Sequence, residues 1–472
     1  MTGMNENPLD LLPEVLLAAS AVLGLLVGAW LPRHRQWVVG VLAGAACAGG
    51  IAAAGVAASG PRMTAFGGAF AVDAVTNTAR VVILGGTLVV LALGAVDVRA
   101  LPRESEWYVL VQLSALGTLM LAAAQDLLLF AAGYLLASVP AYALAGFRKD
   151  GPGTEAALKY YVVGALLGVV MLGGITLLFA AGRGTGYAML RTELPHAPEP
   201  LVAAGAVALL AGMLFKAGGV PSHFWVPDAV QGSAAAVAAF LTTVPKIGAL
   251  AALYRLAVGP LADTSFPWST LVAVLSAASM TLGNLGAFFQ QDVKRLLAYS
   301  TISQVGYLLM PVAVAGHAEL AQKALLFYLA GYAMTNLGAF AVVCALPEAD
   351  GIDDYRGAAQ RHPALVLSLI VCLLGLVGTP PTAVFIGKLE AFSAAFDGGF
   401  AWLAVVAAVN TVASLFYYLR WIAPAVLGRA AAGPRPAIRP PSALAYGAAT
   451  ASLALGIAAG PVLALFGGGL AG

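Results

Sequence analysis

The stretch FKAGGVPSHFWVPD, Phe215 to Asp228, decides how this chain is read. It puts Lys216 at the end of the apolar run Leu201 to Phe215 and follows it at once with Gly218, Gly219 and Pro221. Glycine weakens a helix interior and proline removes a backbone donor and clashes with the preceding turn. The helix predicted over 201–225 therefore breaks beside a buried cation. GTPPTAVFIGKLEAF, Gly378 to Phe392, repeats the pattern, with Gly378, Pro380 and Pro381 ahead of Lys388. Its apolar segment, 363–396, would make about 50 Å of straight helix, too long for one span. Backbone groups freed at such breaks are tolerated at membrane depth only where protein or water satisfies them.

The rest of the sequence sets these stretches in a bilayer. Of the 472 residues 61% are hydrophobic and 10% charged, and the mean hydropathy is +0.89. A soluble chain carries about 25% charged residues, so a water-soluble globular fold is excluded. The net charge of +2 offers no basic field for a nucleic acid. Cys47, Cys344 and Cys372 lie in apolar runs and read as small core residues, too few for a four-thiolate cluster; no metal site is predicted. The start, MTGMNENPLD, lacks a cationic region and carries no apparent signal or transit peptide.

Dividing the apolar runs at about 20 residues per span predicts an all-α, polytopic membrane protein of about fourteen transmembrane helices. The odd-numbered loops hold thirteen Lys and Arg, Arg435 among them, against five in the even loops, Arg62, Arg255 and Lys323 included. Positive residues mark the cytoplasmic side, so both termini are expected outside. Six cations remain inside predicted helices. Arg80 and Arg420 lie near helix ends and read as snorkelling to the headgroups, with an Arg80–Asp73 pair as a second reading for the former. Lys159, Lys216, Lys246 and Lys388 read differently. Charges inside membrane helices line polar pathways by default, and lysine, unlike arginine, readily gives up its proton. By depth they run from Lys159 near the cytoplasm through Lys216 and Lys246 to Lys388 toward the exterior, a candidate proton relay.

The broken segments are the seventh and twelfth helices, and an odd offset of five makes the second copy run the opposite way. Two inverted five-helix repeats, each containing a broken helix, follow. The expected division is 1–106, an N-terminal three-helix segment; 107–257, the first repeat; 258–428, the inverted second; and 429–472, carrying helix fourteen. His223, just beyond the first break, is a candidate relay near neutral pH. Candidate counter-charges are Glu155, four residues before Lys159; Asp126, at a helix start where a carboxylate also complements the dipole; and Glu390, two residues from Lys388 on another face. Gly182, Gly184 and Gly186 follow no strand and do not read as a nucleotide site.

The motifs TEAALKYYVVGA (Thr154 to Ala165), FK…VPSHFWVPDAVQG (Phe215 to Gly232), FLTTVPKIGAL (Phe240 to Leu250), DVKRLLAYSTISQVGYLL (Asp292 to Leu309), FYLAGYAMTNLGAF (Phe327 to Phe340) and FIGKLEAF (Phe385 to Phe392) together resemble a known family. It is the antiporter-like membrane subunits of respiratory NADH:quinone oxidoreductase, complex I, most closely subunit N, the counterpart of mitochondrial subunit 2. The likeness covers roughly residues 8–466. It implies a proton channel along Lys159, Lys216, Lys246 and Lys388, driven by redox energy released in other subunits, with the other membrane-arm subunits as neighbours in a bacterial inner membrane. Flavin, iron–sulfur clusters and quinone would sit on partner subunits and no cofactor on this chain. One departure stands out: AGYLLASVP, Ala132 to Pro140, places Leu135 where the family usually carries a glutamate tuning the central lysine. Gln304 likewise stands where histidine is common. Two alternatives follow, a subunit of an Mrp-type cation/proton antiporter or membrane-bound hydrogenase, and a non-pumping structural subunit of the membrane arm.

Overall fold

The computed structural model describes residues 7–429 and 439–471. Arg435, used above in the orientation count, lies outside them. The chain begins with α1 (Leu12–Trp30), α2 (Trp37–Ala58), a hairpin of β1 (Met63–Ala65) and β2 (Phe70–Val72), and α3 (Ala74–Val98). Next come α4 (Glu104–Ala123), α5 (Leu127–Ala145), α6 (Gly151–Gly182), α7 (Tyr187–Glu193), α8 (Glu199–Ala217), α9 (Trp225–Gly232) and α10 (Ala235–Val258). The second half holds α11 (Trp268–Phe288), α12 (Val293–Ala313), α13 (Ala321–Ala345), α14 (Ala358–Arg361), α15 (Pro363–Val377), α16 (Ala383–Asp397), α17 (Ala401–Leu427), α18 (Pro441–Ile457) and α19 (Ala459–Leu465).

Among the described residues twelve helices are long and apolar enough to cross a bilayer. The other two predicted segments are the split pair α15 and α16, and α18 with α19, which bend by 81° at Ala458. That second bend was not expected over 442–466, although Gly456, Gly460 and Pro461 carry its signal. Aspartates start the helices where the sequence changes from loop to apolar run. Asp73, Asp126, Asp150 and Asp292 each accept backbone N–H bonds at the first turns of α3, α5, α6 and α12, satisfying donors the helix cannot. Helices α10, α12 and α13 are innermost, whereas α2, α6 and α17 are largely exposed.

The two repeats pack alike. Helices α4 and α5 meet where a Cβ at Gly117 would overlap the backbone at Ala137, and Ser114 Oγ donates to Ala137 O at 2.7 Å. Helices α11 and α12 meet at Gly283 against Ser303, with Ser276 Oγ donating to Gly306 O at 2.6 Å. Asp126 bridges to Gly186 as Asp292 bridges to Gly351.

Two cations correct the sequence reading. Arg80 does not snorkel and does not pair with Asp73. It is fully buried, its Nε 2.7 Å from Glu14 Oε1 on α1, with further bonds to Asn77 and the Asp10 carbonyl. Asp73 instead holds Arg255, which is a buried residue of α10 and not a loop cation. Arg255 also donates to Thr76 Oγ1 and Ala122 O, and Asp73 accepts from Ala471 N–H. Burial opposes ionisation of Asp73, but the Arg255 charge and these bonds overcome it and hold the carboxyl below its ordinary range. Removing Arg255 from the loops leaves four cations in the even loops and strengthens the charge bias. Arg420 is half-buried and donates to the carbonyls of Phe288 and Gln290 at the end of α11.

Candidate functional site

Helices α8 and α15 end in the same way. Gly218, at φ +80°, closes α8 by donating its N–H to Leu214 O at 2.7 Å, and Gly219 N–H reaches the same carbonyl at 2.8 Å. Gly378, at φ +91°, closes α15 on Leu374 O at 3.1 Å, with Thr379 N–H on that carbonyl at 3.1 Å. Glycine supplies this left-handed conformation at little steric cost. In both connections a proline three residues on, Pro221 or Pro381, follows a cis bond; Pro380 precedes it in the second. The chain then resumes as α9 or α16. The predicted breaks at Gly218, Gly219, Pro221, Pro380 and Pro381 are where the helices stop.

A helix that stops leaves unpaired carbonyls at its negative end. At each break a buried ammonium takes one. Lys246 Nζ on α10 lies 3.4 Å from Lys216 O, and Lys388 Nζ on α16 lies 2.8 Å from Val377 O. Both stand over aromatic faces, Lys246 4.7 Å from the Trp225 ring and Lys388 3.9 Å from that of Tyr307, a favourable site for a desolvated cation. Trp225 is held by an Nε1 bond to Phe215 O at 3.0 Å and stacks on Tyr160 at 4.1 Å.

Lys216 is buried at the end of α8 and reaches Ser138 Oγ on α5 at 3.0 Å. No carboxylate among the described residues pairs with it. Asp126, the candidate counter-charge, is committed to the N–H groups of Leu128 and Leu129 and to Thr185 Oγ1; that suggestion is corrected. Leu135 is 45% exposed, directed to the perimeter of the chain one turn before Ser138.

Lys159 is exposed on α6. Its Nζ bridges Glu155 at 2.7 Å, as the spacing predicts, and Asp228 at 2.9 Å. Asp228, just past the first break, also accepts from Arg295 at 2.7 Å. Partial burial raises the Asp228 pKa, but its bonds to Lys159 and Arg295 prevail and leave it below the ordinary carboxylate value. His223 is half-buried with its ring 4.4 Å from that of Phe224, and no hydrogen bond joins it to the lysines. Glu390 is half-buried, and the cation acting on it is Lys323.

Between Lys246 and Lys388 runs a buried polar ladder that single residues did not announce. Thr242 and Thr243, one turn before Lys246, accept from Asn336 Nδ2 at 3.0 and 2.8 Å. Tyr332, one turn from Asn336, donates to Thr242 O at 2.7 Å and reaches Thr301 Oγ1 at 3.1 Å. Gln304, one turn along α12, accepts from Tyr328 at 2.7 Å and donates to Leu376 O at 2.8 Å, next to the carbonyl that holds Lys388. Lys388 and Tyr307 share Thr411. The only signal in sequence was the density of Thr, Gln, Asn and Tyr in otherwise apolar helices.

Comparison with known proteins agrees with this fold. The family described as "NADH:quinone oxidoreductase/Mrp antiporter, TM" matches residues 124–414. NADH-quinone oxidoreductase subunit N of Mycobacterium sp. (strain JLS) is 52% identical over 97% of both chains, and subunit N 1 of Streptomyces griseus is 53% identical over 98% of both. A chain of respiratory complex I from Thermus thermophilus is 34% identical, with a TM-score of 0.83 over 97% of this chain and 100% of that one. The Mrp complex of Dietzia sp., 22% identical with a TM-score of 0.83 over 97% and 96%, shares the fold. A multi-span membrane protein with two glycine-broken helices, each closed by a buried lysine, this chain belongs to the subunit N family of NADH-quinone oxidoreductases.

Proposed function

We propose that this chain is a membrane-arm subunit of a proton-translocating NADH:quinone oxidoreductase, and that it conducts protons along the line of buried lysines and the polar ladder between them. The observation that carries the reading is the pair of buried ammonium groups, Lys246 and Lys388, each bound to the carbonyl end of a broken helix, with the hydrogen-bonded groups of Asn336, Tyr332, Thr301, Gln304 and Tyr328 lying between them. In a chain of this composition such groups are costly and are kept for pathways. Lys159, with Asp228 and Arg295, forms the polar end of the path on the side of the basic loops, taken as cytoplasmic. Both termini then face outside, in a bacterial inner membrane. The chain itself performs no redox step; flavin, iron–sulfur clusters and quinone belong to partner subunits, whose turnover drives the protons.

Each lysine acts by alternating between a charged form that grips its carbonyl and a neutral form that releases it. A neutral lysine can take a proton from the ladder on one side, and the charged one can return it on the other. The absence of a carboxylate at Lys216 favours a second reading, a non-pumping copy that completes the membrane arm. The test is proton uptake into proteoliposomes holding the whole complex with Lys246→Ala or Lys246→Arg. Lost uptake with intact assembly in both, since arginine keeps the charge but cannot cycle it, supports the relay; unchanged uptake favours the structural reading.

A further inference from the structure

A groove with a volume of about 800 Å³ lies away from the lysines, between α2, α3, α13 and the α18–α19 elbow. That is within the range of sites built for ligands. Its walls are small or aliphatic residues, among them Gly85, Gly86, Val89, Met334 and Leu337. A Cβ added at Gly55 or Gly85 would meet no heavy atom within 4 Å, so the trough is open where the helix surfaces would otherwise touch. The elbow, bent by 81° at Ala458, lines the opposite side with Leu455 on α18 and Val462 and Leu465 on α19. Along α3 the groove extends from Ala74 to Val89, about 22 Å at 1.5 Å per residue. That matches one leaflet including its headgroup layer, half of about 40–45 Å.

The rim is cationic. Arg62 lines the mouth, exposed, and among the described residues it has no hydrogen bond or ion pair. Lys323 stands against Gly467 at the same end. Asp73, the acid at the rim, is buried and consumed by Arg255, so it offers Arg62 no counter-charge. A guanidinium at a membrane boundary binds a phosphate through paired N–H bonds. We propose that this groove is a binding site for an anionic phospholipid of the leaflet at the N-terminal end of α3. Its phosphodiester rests on Arg62 and an acyl chain lies along Gly85 and Gly86 toward Leu337. The floor adjoins the proton path: a Cβ at Gly86 would touch Val244, two residues from Lys246.

The test uses the whole complex in phosphatidylcholine vesicles doped with a phosphatidylglycerol that carries a photoreactive diazirine midway along one chain. Adducts are expected on Val81 to Val89 and Met334, in excess over the outward-facing Val405 and Val409 of α17. Gly85→Phe, which fills open space, should reduce them to the α17 level. Arg62→Gln should lower them about fivefold, the effect of one basic residue at a membrane surface, and added inorganic phosphate should change nothing. Labelling of α3 no stronger than of α17, equal labelling in Arg62→Gln, displacement by inorganic phosphate, or cross-links from α3 to a neighbouring subunit's helix would each overturn the proposal.

Discussion

The two broken helices make the same backbone fault and repair it differently. At α15 the ammonium comes from the helix that continues the chain, Lys388 on α16, 2.8 Å from the carbonyl and bracketed by Tyr307 and Thr411. At α8 it comes from a separate helix, Lys246 on α10, and stands farther off at 3.4 Å. A second lysine, Lys216, sits on that same helix end with a hydroxyl as its polar partner. Close packing of two cations without a carboxylate is electrostatically unfavourable. The difference is that the second break holds one ammonium closely, while the first has two lysines and a looser bond.

Truncating the capping lysines sharpens this contrast most. Lys388→Ala strands a carbonyl with a short bond and should cost about 1–3 kcal/mol of stability, whereas Lys246→Ala should cost less; thermal unfolding of the purified complex ranks them, and an equal loss would erase the distinction. Next come the glycines. Gly218→Ala and Gly378→Ala force a side chain into the left-handed region, about 1–2 kcal/mol, and push the new Cβ to 3.3 Å from Lys246 Nζ and 3.0 Å from Lys388 Cδ. Proton uptake should fall in both, measured beside assembly on native gels.

Ser138→Ala removes the hydroxyl held by Lys216 and should cost about 0.5–1.5 kcal/mol. Leu135→Glu, placing a carboxylate on the perimeter one turn away, should change the pH profile of proton uptake; an identical profile would show that this position does not act on Lys216. The smallest effect belongs to Asp228→Asn, about 0–1 kcal/mol for a half-exposed pair. Because Lys159 and Arg295 hold the Asp228 pKa below its unfolded value, its contribution is present above the ordinary carboxylate range. It fades as pH falls through the lowered value. Asp228→Asn should therefore lose stability relative to the parent near neutral pH and converge with it in acid, as followed by denaturant unfolding.

The breaks were legible because glycine and proline act locally: Gly218, Pro221, Gly378 and Pro381 need no distant partner to stop a helix. The lysines were legible because charge is scarce in this sequence. What stayed hidden depends on contacts across the chain. Arg80 meets Glu14 and Arg255 meets Asp73 over separations of 66 and 182 residues. Neither pairing follows from helical spacing, which pointed Arg80 to Asp73 instead. Lys216 was expected to seek a carboxylate and found Ser138, because Asp126 is spent on its own helix end. The ladder through Asn336 and Gln304 required knowing which faces of α10, α12 and α13 meet.

The carbonyl that anchors each ammonium also gives the path a spectroscopic handle. A C=O bonded to a cation vibrates at lower frequency than one that is free, so an isotope-edited amide band at Val377 or Lys216 would report, residue by residue, whether its lysine is charged while the enzyme turns over.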